Sequence, residues 1–144
     1  MVLLLLHAGV TLVLFGVILV VQVVHYPLFR HVGPDSYAVY QAEHMWRITW
    51  IVGPLMTIEL LTAGLLLWHR PSGVSLVQAG SGLALVLVIW IVTALVQVPL
   101  HRTLLQRWSR DAHERLVRSN WLRTGAWTVR VGLVGWMLAT SLAT

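Results

Sequence analysis

The chain contains no cysteine and no lysine, and only five acidic residues stand among its 144. Without cysteine there are no disulfides, thiolate nucleophiles, iron–sulfur clusters or cysteine-ligated zinc. Charged residues make up 10% of the chain, whereas a soluble domain carries about a quarter. That shortage, with 58% hydrophobic residues gathered in long runs, excludes an ordinary water-soluble fold. All ten basic residues are arginine and the net charge is +5. Nucleic acid is one partner of a basic chain, but here the arginines flank apolar runs. Topology and anionic lipid headgroups account for them, and nucleic acid is not expected.

A bilayer core about 30 Å thick takes roughly 20 residues of helix. Four stretches qualify, at about 2–24, 48–68, 76–100 and 121–142, and the only charges within them are Glu59, Arg123 and Arg130. The first has no basic leader and is too long for a signal peptide's apolar region, so it reads as a transmembrane helix. The expected fold is all-α: one polytopic membrane domain over 1–144, a four-transmembrane-helix bundle. Homo-oligomers are compatible with its small-residue positions.

Arginine counts orient the bundle. The first connection holds Arg30 and Arg47; the third holds Arg102, Arg107, Arg110, Arg115 and Arg118, with Arg123 at its edge; the second holds only Arg70. Eight against one predicts both termini outside the cytoplasm and a bacterial-type inner membrane location. Helices 2 and 4 are expected to extend on the cytoplasmic side, starting at Pro34–Asp35–Ser36 and at a capping box formed by Asp111 and Glu114. Pro27 is expected to end the first helix, Gly53–Pro54 to kink the second, and Pro71–Ser72–Gly73 to form a tight turn. Pro99 should deprive the Leu95 carbonyl of its usual donor.

Polar side chains are costly in hydrocarbon and turn toward the bundle interior, so they carry the functional reading. At 100° per residue, His7, Thr11, Gln22 and His25 share a stripe on the first helix; Trp90, Thr93, Gln97 and His101 do so on the third; Asn120, Arg123, Trp127 and Arg130 do so on the fourth. On the second, His44, Arg47 and Glu59 fall on roughly one side. Gln22, His25, His44, Arg47, Gln97, His101, Asn120 and Arg123 all lie near the arginine-rich boundary. His7, Glu59 and Arg130 form a deeper group, in which Glu59 and Arg130 are expected to pair or to be bridged by a polar ligand.

His25, His44 and His101, from three helices, suggest a metal site or haem ligation by a histidine pair, against the alternative of interfacial histidines bonded to water and backbone. His31, His69 and His113 fall in connections and need no role, and Glu43–Arg47 and Asp111–Arg115 have the spacing of surface ion pairs. Trp46, Trp50, Trp68, Trp108 and Trp121 fit an aromatic belt, whereas Trp90 and Trp127 lie on the interior stripes.

The leading expectation is a membrane-embedded oxidoreductase or oxygenase acting on a hydrophobic aromatic or quinone-like molecule near the cytoplasmic leaflet. His25 or His44 would serve as general base and Arg123, Arg47 and Asn120 would stabilise an oxyanion. Gln97 and His101 would orient the substrate or a metal, with Gln22, Trp127, Glu59 and Arg130 completing the binding surface. The alternatives are a structural or haem- or metal-binding membrane subunit, and a small transporter using Glu59 and Arg130.

The segments His25-Tyr26-Pro27-Leu28-Phe29, Val98-Pro99-Leu100-His101, Asn120-Trp121-Leu122-Arg123-Thr124 and Trp127 to Arg130 resemble the small four-helix membrane proteins of the anthrone-oxygenase-like family. Members of that family often carry Asn where this chain has His101. The resemblance implies a pocket built from His25 and Pro27, Pro99 and His101, and Asn120 to Arg130, and oxidation of an aromatic substrate by oxygen.

Overall fold

A computed structural model describes residues 1–143, apart from the side chain of Pro34. The described chain is all-helical. Four long helices form it: α1 (Val2–His31), α2 (Pro34–Leu65), α3 (Leu76–Gln106) and α4 (Arg110–Leu142). The first three are long and apolar enough to cross a membrane; α4 is long enough but interleaves Arg118, Arg123 and Arg130 with its apolar residues. α1 packs against α2 and α4, and α3 packs against the same two, so α1 and α3 stand diagonally opposite in a square bundle.

Proline does not end α1. The helix passes through a π turn at Val21–His25, carries Pro27 in a short α-helical stretch, and closes in a 3₁₀ turn at Phe29–His31. α3 repeats the device, with a π turn at Thr93–Gln97 and Pro99 just beyond it. A proline inside a straight helix collides with the carbonyl four residues back. A wider turn immediately upstream displaces that carbonyl and lets the helix continue. The two π turns also rotate Gln22, His25 and Gln97 relative to a regular helix, which matters for the interior. Pro54 sits inside α2 without ending it.

The helix starts follow their caps. Ser75 and Gln78 form a capping box on α3, with Ser75 Oγ accepting from Gln78 N at 3.2 Å and Gln78 Oε1 accepting from Ser75 N at 2.7 Å; such a box is worth about 1 kcal/mol. α4 is capped by Ser109, whose hydroxyl accepts from Ala112 N. The expected capping box at Asp111 and Glu114 is therefore not formed. Glu114 instead pairs with Arg110 at 2.8 Å, replacing the expected Asp111–Arg115 pair. That exposed guanidinium holds the Glu114 carboxyl below its ordinary range through the hydrogen bond it donates. The turn at Pro71–Gly73 forms as its residues require, with Gly73 at a φ of +80°.

One core cluster surrounds the arginine-rich half of the bundle, with Leu14, Ile18, Phe29, Ile89, Leu116 and Trp127 at its centre. A smaller one, Leu4, Leu66, Val74, Ala79 and Met137, closes the other end.

Candidate functional site

The deepest polar group is a closed network. Arg130 Nε donates to Glu59 Oε1 at 3.0 Å, Thr11 Oγ1 donates to the same oxygen at 2.9 Å, and Trp127 Nε1 donates to both carboxylate oxygens at 3.3 Å. Arg130 also donates to the Gly82 carbonyl, to Thr11 Oγ1 and to His7 Nε2. With Nε2 accepting, His7 carries its proton on Nδ1 and donates to Thr62 Oγ1 at 2.7 Å, and Thr62 in turn donates to the Ile58 carbonyl. Glu59 and Arg130 are each 1% exposed. Every charge here is answered within the protein, across all four helices. The expected Glu59–Arg130 pair is present, as a direct contact.

A second network crosses α1, α3 and α4 one level up. Asn120 Nδ2 donates to Gln22 Oε1 at 2.9 Å, Gln22 Nε2 donates to the Val117 carbonyl, and Arg123 Nη1 donates to Asn120 Oδ1 at 3.0 Å. Ser119 gives its proton to the Arg115 carbonyl, so it accepts from Gln97 Nε2 at 2.9 Å. Gln97 Oε1 is thereby left buried without a partner, as is Arg123 Nε. Among the described residues no carboxylate lies within ion-pair reach of Arg123; its charge meets the Trp127 ring at 5.2 Å and the Tyr26 hydroxyl instead.

The three candidate metal-binding histidines lie side by side, with the His44 ring centroid 4.7 Å from that of His25 and 5.4 Å from that of His101, but their nitrogens do not aim at a common point. His25 Nε2 and His44 Nδ1 bond to each other at 2.8 Å, while His101 uses both nitrogens, one to Gln41 Nε2 at 2.7 Å and one to Tyr26 Oη at 2.8 Å. No group of three metal-ligating side chains forms among the described residues. His101 has both ring nitrogens engaged, whereas His44 Nε2 is buried without a partner, so the three histidines do not present a shared ligand set for the expected metal. Gln41 donates to His101 Nδ1, so the ring proton sits on Nε2 and is donated to Tyr26. The Tyr26 hydroxyl proton is then free for a further acceptor.

Between these networks lies an apolar cavity of about 260 Å³. Leu14, Ile18 and Val21 of α1 and Val52 and Met56 of α2 form its greasy wall. Its polar lining is Tyr26, Thr49, Thr93, Gln97, His101, Arg123 and the indole of Trp90, with Trp127 as a flat face. Trp90 Nε1 is also buried and unpartnered, so three unsatisfied polar atoms belong to residues of one cavity. The lining residues of α1 and α4 are mostly buried, whereas Ile48, Thr49, Val52 and Gly53 of α2 and Trp90, Thr93 and Val98 of α3 are partly or fully exposed. The cavity therefore opens sideways between α2 and α3, on the face where a bilayer would lie.

Of the residues expected to form the site, Gln97, His101, Arg123 and Trp127 meet at this cavity. Gln22 and Asn120 stand behind it and hold Arg123. Arg47 is a correction: its side chain is 78% exposed and paired with Glu43 at 2.8 Å, because a regular α2 turns it outward. His25 and His44 are likewise displaced from the cavity; they line a shallow outer groove with Tyr40 and Ile51. Sequence reasoning missed Tyr26 and Gln41, although Tyr37, Gln41 and His44 follow helical spacing that would have placed Gln41 inside. His113, expected to have no role, is buried on α4, with a ring nitrogen 2.8 Å from the Tyr26 carbonyl. Comparison of the chain with protein families, curated proteins and solved structures returns no match.

Proposed function

We propose that the protein is a membrane-embedded oxidoreductase or oxygenase that takes a hydrophobic aromatic or quinone-like molecule from the bilayer and holds it with an oxyanion against Arg123. The arginine-rich end is read as cytoplasmic. The observation that carries the proposal is the conjunction of an apolar cavity with a buried guanidinium that has no carboxylate partner among the described residues. Burying an unpaired charge costs several kcal/mol, and a fold retains it where an anion is to be bound. Hydrogen-bond donors fixed where negative charge develops are the strongest general device of catalysis. Arg123 Nε, Trp90 Nε1 and the freed Tyr26 hydroxyl are three such donors.

An arene hydroxyl or enol bound there loses its proton more readily and becomes a better electron donor. With dioxygen as oxidant, a methylene conjugated to that enolate gains a carbonyl oxygen while the second oxygen atom leaves as water with both carbon-bound hydrogens. This is the reaction that the likeness to the anthrone-oxygenase-like proteins suggests. A binding role without turnover is the second reading, favoured by the absence of a free base on the cavity: both nitrogens of His101 are engaged.

The test is oxygen consumption and product formation by the purified protein in lipid nanodiscs with hydroxylated naphthalenes and anthracenes, comparing wild type with Arg123→Met. Turnover lost in the variant supports the enzyme; tight binding without turnover in wild type supports the binding subunit; neither activity nor binding removes both readings.

A further inference from the structure

We infer that the cavity selects an aromatic molecule carrying two oxygens in different protonation states, one ionised and one still bearing its proton: the monoanion of a dihydroxyarene rather than a quinone, a simple phenol or a carboxylic acid. The inference rests on the reading that the cavity binds an oxyanionic aromatic, and it adds which one. Its ground is the sign of each unsatisfied atom. Arg123 Nε and Trp90 Nε1 are donors and call for an acceptor, with charge at Arg123. Gln97 Oε1 is an acceptor and calls for a proton.

The sign of Gln97 is set by its surroundings. Ser119 donates to the Arg115 carbonyl and so receives the amide N–H, which leaves the amide oxygen as the free end. Trp90 and Gln97 both reach the cavity from α3, across the π turn at Thr93–Gln97, and Arg123 reaches it from α4. Of the other polar lining, Thr49 and Thr93 give their hydroxyl protons to carbonyls of their own helices, His101 is engaged at both nitrogens and Tyr26 adds a further donor; the rest is aliphatic or aromatic, with Trp127 providing a flat surface for a ring. At about 260 Å³ the cavity falls just below the usual range for small-molecule sites. It is too small for a diacyl lipid.

Each rival ligand leaves one atom unmet. A quinone offers no proton to Gln97 and no charge to Arg123. A monohydroxyarene satisfies Arg123 but not Gln97. An ionised carboxylic acid has acceptors only. A buried polar group left unmade is costly, so discrimination should be about fivefold or more against each.

The test is anaerobic binding to wild-type protein in nanodiscs, followed by tryptophan fluorescence, with 1,4-dihydroxynaphthalene, 1-naphthol, 1-naphthoate and 1,4-naphthoquinone as probes. The expected order has the diol about fivefold or more tighter than every other probe. Bound 1-naphthol should show the absorption band of its anion at a pH where the free probe is neutral. In Gln97→Met the diol should fall to the level of 1-naphthol while 1-naphthol itself is unchanged, which shows that the variant is folded. Equal binding of diol and naphthol by wild type, or preference for naphthoate, overturns the inference while leaving the oxyanion cavity intact; preference for the quinone overturns both. If no probe binds, the functional reading falls and takes this inference with it.

Discussion

Arg123 and Arg130 lie seven residues apart on one face of α4, and Trp127 stands between them, giving its indole N–H to the carboxylate that pairs with Arg130 while its ring lies 5.2 Å from the guanidinium carbon of Arg123. The two arginines are chemically alike and almost equally buried. One is neutralised by Glu59 and the other by nothing in the described chain. That difference separates a structural lock from a binding group, and the two should respond oppositely to mutation.

Glu59→Gln leaves Arg130 buried without a counter-charge, and losing one partner of such a pair costs about 3–5 kcal/mol. Thermal or denaturant unfolding in detergent micelles should show that loss for Glu59→Gln and for Arg130→Met. The double variant should lose clearly less than the sum, since it removes both charges together. Additive losses would mean that the pair does not act as a unit.

Arg123→Met removes an unpaired charge, so the bundle should keep its stability or gain some by the same measurement. Binding of an oxyanionic aromatic should fall about 100-fold or more, the scale of losing a donor to developing negative charge. Destabilisation comparable to that of Arg130→Met would place Arg123 among the structural residues.

Access between α2 and α3 can be narrowed without disturbing the fold. A methyl group added at Gly53 would meet only Thr49 Cγ2, at 3.8 Å, an ordinary contact. Gly53→Leu projects into the cavity that Gly53 helps line. It should slow and weaken uptake of aromatic probes by tenfold or more while the melting temperature changes little. Unaltered uptake kinetics would show that the ligand enters elsewhere.

Tyr26→Phe removes one of the three donors facing the cavity and should weaken oxyanion binding about tenfold, the scale of one charge-assisted hydrogen bond. Arg47→Ala and His25→Ala should leave binding unchanged, since neither residue lines the cavity. Ligand titrations of the three variants give the comparison directly. A loss in Arg47→Ala would restore it to the site.

Gly73→Ala should destabilise the protein by about 1–3 kcal/mol. Its φ of +80° disfavours any side chain, and a methyl group there would run into the Thr140 carbonyl of α4. Unfolding measurements decide this, and the effect should be absent from binding.

The linear chain determined the helical class, the placement of its apolar runs and the stripes of interior polar residues, because burial of apolar surface and helical periodicity act through neighbours a few residues apart. It also contained the Glu59–Arg130 pair, since an acid and a base at similar depth have few alternatives. It could not say which arginine would go unpaired, which end of the Gln97 amide would be left free, or that His25 and His44 would bond to each other outside the cavity. Two π turns reset the faces of α1 and α3 near their prolines, and hydrogen bonds between helices, such as Gln97 to Ser119 and Gln22 to Asn120, chose the orientation of the amides and rings. Directional bonds of that kind depend on positions in space that only the packed bundle supplies.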